Sequence, residues 1–438
     1  MNSFAKALVA LVLLSAPAHA GDIHLGEETP VAPEIRKTFQ MNPAVAFGKD
    51  VYLVVWQDGP FTWECPQVKL WMARVSATGK VLNPKGLPLC QHDKRHRRRP
   101  RVAFDGTNFL VVWAEYNEEK NWDVSAARVS PEGEVLDEKG FAVAHAPGNQ
   151  CTPVAATNGA GRSLAAWADS PGPQGRYQIM AASVDGGGRV GAAAVAAPAP
   201  PGNPAASGTH VGNFHPEIAF DGRNYVLTYV HLELSRWVGE NTRAAWLSPD
   251  GKPVKTTKYL TIGSGNATKR ARNGCVLAGA KPGESVVRYI GYRGAMQPAF
   301  TRYTGPDQAA GTYTGPGYTS HRGQAMGVYP ARGAFDGKQY VLAWQAHSFH
   351  VVMSRVAAAG EPKALDIPPG KEGVAENRSR GMKAETQGFP VAVGAAGKRW
   401  CLRPAIASDG KGKCLVVYED DQGIDNRRVK FRLATTPP

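Results

Sequence analysis

Apolar residues in this chain fall in short runs broken by glycine, proline, aspartate and asparagine. Beyond the first twenty residues no stretch repeats them with the period of a helix face. The clearest unit reads PRVAFDGTNFLVVWAE, from Pro100 to Glu115. A short apolar run meets Asp-Gly, a hairpin-turn signal, and a second run rich in β-branched and aromatic residues follows, which predicts a tight antiparallel hairpin. The pattern returns as PAVAFGKDVYLVVWQD from Pro43, PVAATNGAGRSLAAWAD from Pro153, PEIAFDGRNYVLTYVH from Pro216, ARGAFDGKQYVLAWQA from Ala331 and PAIASDGKGKCLVVYED from Pro404. A weaker copy, CVLAGAKPGESVVRYIGY, starts at Cys275 and fills the remaining gap.

After each hairpin comes a third run, such as LWMARVS, VSAARVS, QIMAASV or VVMSRVA. A turn (SATGK, SPEGE, SPDGK) and a fourth run (VLNPKGLPL, VLDEKGFAV) come next. The second run is apolar at successive positions, as expected for a strand buried on both faces, whereas a sheet with one wet face alternates. Starts at 43, 100, 153, 216, 275, 331 and 404 have the spacing of a repeat architecture. The fold expected is all-β: a seven-bladed β-propeller with four antiparallel strands per blade, in one domain over 21–438. With the Asp-Gly turn as hairpin centre, Pro100 faces Trp113, Pro43 faces Trp56 and Pro216 faces Tyr229, so these aromatics read as scaffold. The last copy ends RRVKFRLATTPP with no fourth run. Residues 23–39 are free to supply the missing strand, and closure by that N-terminal strand is expected. The alternatives are an incomplete last blade or an eighth built from 368–399. The tract GGGRVGAAAVAAPAPPGNPAASG, 186–208, reads as a poor fourth strand and a loose loop.

The phrase AFDGTNFLVVW, followed by ARVSPEGEVLD and the fourth run, resembles repeats of secreted bacterial β-propeller proteins, most of which have no assigned activity. The likeness covers nearly all of the chain beyond residue 20. It implies fold and export and carries no catalytic residue across, because it lacks the GH…WD pairs, the paired-glycine kelch signature and the S-x-D-x-G-x-T-W box of better-understood propellers.

The first twenty residues hold Lys6, the run ALVALVLL and the ending Ala18-His19-Ala20, the pattern of a signal peptide cleaved before Gly21. No later stretch has the apolar length of a membrane span, so a secreted or periplasmic monomer is expected. Cys65, Cys90, Cys151, Cys275, Cys401 and Cys414 form an even set that an oxidising compartment would join in disulfides, though spacing selects no pairing. Lys and Arg number 51 against 37 Asp and Glu, a formal net charge of +14. Such a chain is attracted to anionic polysaccharide, other polyanions or an acidic surface protein.

The basic residues cluster. Lys94, Arg95, His96, Arg97, Arg98 and Arg99 precede the second repeat, and Lys269, Arg270 and Arg272 the fifth. Arg378, Arg380, Lys383, Lys398, Arg399 and Arg403 precede the seventh. Read as loops of one class, they should ring one opening and present guanidinium forks to phosphate, sulfate or carboxylate. Trp63, Trp237 and Trp400 have no equivalents in other repeats and suit stacking on sugar rings, while Trp122, Tyr177 and Phe349 recur at one repeat position and read as core. Asp58, Glu115, Asp169 and Asp420 stand two residues after the recurring Trp or Tyr. The expectation is that they pair with third-strand arginines such as Arg74 and Arg128, a structural bridge too regular for catalysis. His215, His231, His347 and His350 give a weak metal reading; no HExxH, Cys-x-x-Cys, nucleophile elbow, P-loop or dinucleotide fingerprint occurs, and no cofactor is expected. Three functions are consistent with these features, in order: a non-catalytic binding propeller with a basic loop face for an anionic polymer or protein at the cell envelope; a carbohydrate-active hydrolase or lyase on that face, using Asp58, Glu115 and His231; or a structural module of a surface assembly.

Overall fold

The computed structural model describes residues 23–35, 38–59, 68–90, 95–117, 119, 121–170, 176–200, 212–233, 239–257, 270–292, 296–314, 331–346, 350–358, 373–377, 382–386, 389–394, 399–423 and 426–436. The segment 1–20, read from sequence as a signal peptide, and Trp63, Cys65, Lys94, Trp237, Lys269, His347, Phe349, Arg378, Arg380 and Lys398 lie outside them.

The second repeat forms an antiparallel sheet of His96–Phe104, Phe109–Tyr116, Trp122–Val129 and Phe141–Ala144, in chain order from one edge to the other. The third repeats it with Asn149–Thr157, Arg162–Ser170, Gln178–Asp185 and Ala194–Ala197. The fourth uses Gly212–Phe220, Tyr225–Glu233, Gly239–Leu247 and Pro253–Thr256, and the fifth Arg270–Ala278, Ser285–Tyr292, Met296–Tyr303 and Ala309–Thr314. The sixth consists of Arg332–Phe335, Gln339–Ala346, His350–Ala357 and Phe389–Val393. A nine-stranded sheet holds the rest. In it Thr38–Gly48, Val51–Asp58, Lys69–Ser76 and Leu87–Leu89 belong to the first repeat, and Trp400–Ser408, Lys413–Asp421 and Asn426–Thr435 to the last. The two parts join where Thr38 and Phe39 run parallel to Asn426 and Arg427. His24–Leu25 and Thr29–Pro30 pair antiparallel with Asn426–Thr435, His24 opposite Thr435 and Pro30 opposite Lys430.

This is an all-β, propeller architecture with four-stranded antiparallel blades. The first strand of each repeat packs on the first strand of the next, and Trp400–Ser408 packs on Thr38–Gly48. First strands are therefore innermost. Each apolar cluster joins consecutive repeats: Val55 and Met72 meet Val111 and Trp113, while Val112 meets Trp167. That is why the second runs lack alternation, and the six central residues of Val51–Asp58 are all buried. Burying each large aromatic side chain contributes about 1.5–3 kcal/mol.

The Asp-Gly turns link the repeats. Asp105 Oδ1 accepts the Thr107 and Asn108 N–H groups, closing its own turn, while its carbonyl accepts the N–H of Gly161 in the next repeat at 2.8 Å. Asp336 makes the same two kinds of contact, its carbonyl accepting from Gly412 at 2.9 Å.

Two expectations and one alternative are corrected. Among the described residues the alternative eighth blade from 368–399 does not form: Phe389–Val393 is the fourth strand of the sixth repeat, and Gly373–Asn377 pairs with Met382–Thr386. The carboxylates after the recurring aromatics do not bridge to third-strand arginines. Asp58 faces Lys69 at one end of its strand pair while Arg74 faces Leu53 near the other, too far along the extended backbone. Arg74 instead donates to Asn83 Oδ1 and to the Pro131 carbonyl of the next repeat; Arg128 likewise donates to Asp137 and the Gly186 carbonyl. Finally, no disulfide joins any two of the described cysteines: Cys90, Cys151, Cys275, Cys401 and Cys414 are all thiols.

Candidate functional site

In every first strand whose register is recorded except the sixth, pairing with the second strand shifts by a bulge next to the repeat's proline or its equivalent, for example between Arg98 and Arg101. The residue before the proline turns left-handed there: Asn42 at φ 50°, Arg99 at 53°, Thr152 at 51°, His215 at 49° and Arg403 at 46°. Such φ values are uncommon for residues other than glycine, least so for Asn and His and most so for the β-branched Thr152. A hydrogen bond from the preceding repeat holds several of them. Gln57 Oε1 accepts the Arg99 N–H at 3.1 Å, Glu419 Oε1 the Asn42 N–H at 2.7 Å and Gln345 Oε1 the Arg403 N–H at 3.4 Å. Arg99 and His215 are exposed although their neighbouring prolines are buried, so the bulge turns these side chains out of the packed sheet.

Between the second and third repeats the bulges open a cleft of about 440 Å3 lined by Arg98, Arg99, Trp122, Asn149, Thr152 and Tyr177, with Cys151 on its wall. The Arg98 guanidinium lies 5.1 Å from the centre of the Trp122 ring, and Asn149 Oδ1 accepts the Trp122 N–H at 3.2 Å. Tyr177 packs against Phe214 at 4.8 Å. Burial lowers the pKa of Arg98 and the adjacent Arg99 lowers it further, so two like charges are held together with no carboxylate among the groups that shift it. Burial raises the Cys151 thiol, which disfavours a reactive thiolate there.

A second cluster lies on the axis. Glu217 of the fourth repeat places Oε1 2.5 Å from Arg332 of the sixth and 4.0 Å from Arg101 of the second. Side chains from three non-adjacent repeats meet only across the centre. Burial and the arginines Arg332 and Arg99, against the opposing pull of Glu217, bring Arg101 down to about 10. Desolvation by the protein atoms crowded round it, although the ring keeps a solvent-facing edge, then Arg99, Arg101 and Arg332, push the His215 imidazole down to about 4, so it is neutral near pH 7.

Other sequence candidates are already engaged. Arg95 and the fully buried Arg97 both pair with Glu115, at 2.9 and 2.8 Å. Arg399 pairs with Asp420 at 2.5 Å and Glu28 at 2.6 Å, and Arg403 with Glu419 at 2.8 Å. Burial raises the Glu419 carboxyl, opposed by Arg403, the Asn42 N–H and Arg427. Arg270 and Arg272 belong to the first strand of the fifth repeat, and Trp400 opens Trp400–Ser408 with 43% of its surface exposed. Arg97, Arg98 and Arg99 thus lie in a strand, not the loop the sequence suggested, and strand alternation sends Arg97 inward and Arg98 to the cleft. Trp122 and Tyr177, read as core, line the cleft instead. Sequence reasoning missed Arg101, Glu217 and Arg332. Each holds the first-strand position that carries no charge in the other copies (Ala44, Val154, Cys275, Ala405), and that substitution was the available signal. Among the described residues no three His, Cys, Asp or Glu side chains gather to hold a metal.

No protein-family model and no curated protein matches the chain. Solved structures do. The polysaccharide lyase Uly1 aligns over 90% of this chain and 90% of its own at 9% identity, with a TM-score of 0.53. A protein of unknown function from Dyadobacter fermentans aligns over 94% and 99% at 9% identity, TM-score 0.49. The β-propeller domain of the Trilobed protease from Pyrococcus furiosus aligns over 91% and 94% at 11% identity, TM-score 0.47. At these identities the likeness concerns fold.

Proposed function

We propose that this protein is an exported binding propeller that holds an anionic polysaccharide in the cleft between its second and third repeats. The observation that carries this reading is the pairing of Arg98 and Arg99 with Trp122 and Tyr177 around one cavity of about 440 Å3. Guanidinium forks match carboxylate or sulfate, and aromatic rings stack on the apolar faces of sugars. Export rests on the leader-like 1–20; among the described residues no helix is long and apolar enough to cross a membrane.

The same reading takes the molecule as a seven-bladed monomer closed by its N-terminal strand. In support, His24–Leu25 and Thr29–Pro30 occupy the fourth-strand place beside Asn426–Thr435, and first strands of the first and last repeats are in contact.

Titration with heparin, alginate and neutral dextran at two salt concentrations tests it. Heparin or alginate should bind with steep salt dependence and dextran should not. Arg98→Gln and Trp122→Ala should each weaken binding about tenfold, and equal binding of dextran would overturn the reading.

Turnover of the bound chain is a second reading, favoured by the neutral, solvent-accessible His215 near Arg99. Glu115 and His231 suit it less, because Glu115 is paired with two arginines and His231 is only 2% exposed. Release of unsaturated or reducing ends from alginate, lost in His215→Ala, separates turnover from binding.

A further inference from the structure

The cluster on the axis is a different feature from the cleft, although Arg99 belongs to both. Arg101, Glu217 and Arg332 come from the second, fourth and sixth repeats and touch across the centre, with Glu217 Oε1 4.0 Å from Arg101 and 2.5 Å from Arg332. Arg99 is close enough to act on Arg101 and His215 electrostatically. Two guanidinium groups therefore flank one carboxylate, and a third, Arg99, adds its field at Arg101 and at the His215 imidazole. Glu217 neutralises a single charge, and its geometry favours Arg332, leaving Arg101 at the edge of ion-pair distance.

A fold does not need such an arrangement. The equivalent residues in other repeats, where pairing resumes after the bulge, carry no charge (Ala44, Val154, Cys275 and Ala405), and the inner strands pack with them. Placing surplus like charge on the axis opposes folding, because the arginines repel each other in a partly desolvated space. The side chains of Arg101 and Arg332 remain 26% and 18% accessible, so both still reach solvent.

We propose that the axial cluster of Arg99, Arg101 and Arg332 is a binding site for a single oxyanion group, the carboxylate of a uronate or a sulfate ester, with Glu217 setting its affinity. This rests on the polysaccharide reading of the cleft and deepens it: a charged group at a chain end or branch reaches the axis while the adjoining sugars occupy the cleft that shares Arg99. The protein then recognises an exposed acidic residue in its ligand and not merely a run of charge. The pKa pattern agrees: burial lowers Arg101 and His215 most, and the neighbouring arginines lower both further, a positive potential that a bound anion would relieve.

The test uses the full chain with sodium glucuronate and sodium sulfate as separate probes, followed by calorimetry. One site per chain is expected. Arg332→Gln should weaken it roughly tenfold, and Glu217→Gln should tighten it roughly three- to tenfold by removing the competing carboxylate. The two sources separate by which probe binds tighter. Because Arg332→Gln leaves Glu217 with a weaker partner and is at risk of misfolding, Glu217→Gln decides the matter: unchanged or weaker glucuronate and sulfate binding in that variant overturns the proposal. Heparin binding that ignores Arg98→Gln would instead sink the cleft reading, whatever the small anions do.

Discussion

The Glu28 carboxylate accepts a 2.6 Å hydrogen bond from the Tyr418 hydroxyl, across 390 residues of sequence. Arg399 at 2.6 Å and Lys430 at 2.9 Å complete the site, tying the N-terminal segment to the last repeat. Burial alone would raise the carboxyl. The three donors outweigh it and hold Glu28 at about 2 against an ordinary 4.5. The carboxylate therefore stabilises the fold at and above pH 4.5, and its contribution is lost as pH falls toward 2. Allowing for solvent screening at a partly exposed site, Glu28→Gln should cost about 1–2 kcal/mol at neutral pH. Urea titrations at pH 7 and pH 2 check this: the gap between variant and parent should close in acid.

His231 gives a second pH dependence with a different window. Its ring is buried opposite Asn213, and with Nδ1 2.7 Å from Asn213 Oδ1 the imidazole N–H donates to that amide oxygen. Burial, aided by the nearby Arg243, lowers it from 6.5 to about 4. Unfolded chains take up a proton that the folded protein refuses between those values, so stability falls as pH drops through 6.5 toward 4. His231→Gln should make that slope shallower, by about 2–3 kcal/mol at most, leaving the part that His215 contributes in the same window. A variant with the same slope as the parent would show that another group titrates there.

Gly140 and Gly159 both need a left-handed backbone, at φ 68° and 70°, yet their surroundings differ. A Cβ on Gly140 would come within 3.0 Å of the Trp113 ring, while one on Gly159 would meet nothing within 4 Å. Gly140→Ala should therefore add overpacking to backbone strain and destabilise by about 2–4 kcal/mol, against about 1 kcal/mol for Gly159→Ala. Thermal melts of the two variants, side by side, separate ring contact from torsion.

The blade pattern was legible because it is local: each hairpin carries its own turn residues and each second run its own apolar stretch. Closely placed charge was less legible. A run such as 95–99 resembles a solvated loop in sequence, yet as a strand it alternates, and Glu115 opposite gives Arg97 a buried partner. Trp122 and Tyr177 recur at one repeat position, as core residues would, but the space between two particular repeats exposes both. The meeting of Arg101, Glu217 and Arg332 depends on where three strands stand about an axis, which neighbouring residues in sequence do not encode.

Arg99 offers the sharpest separation of fold from function. Its φ of 53° precedes Pro100, a conformation that costs about 1–3 kcal/mol for most residues and persists because Gln57 holds its N–H and the buried proline anchors the adjoining backbone. Asparagine tolerates the left-handed region better than arginine does. Arg99→Asn keeps the backbone hydrogen bond, relieves torsional strain and removes a charge that repels Arg101. The variant should then be as stable as the parent or more stable by up to about 1 kcal/mol, while heparin binding weakens and its salt dependence becomes shallower. Chemical denaturation and binding isotherms on one preparation check both halves. A less stable variant with undiminished binding would make Arg99 a scaffold residue and detach it from the cleft.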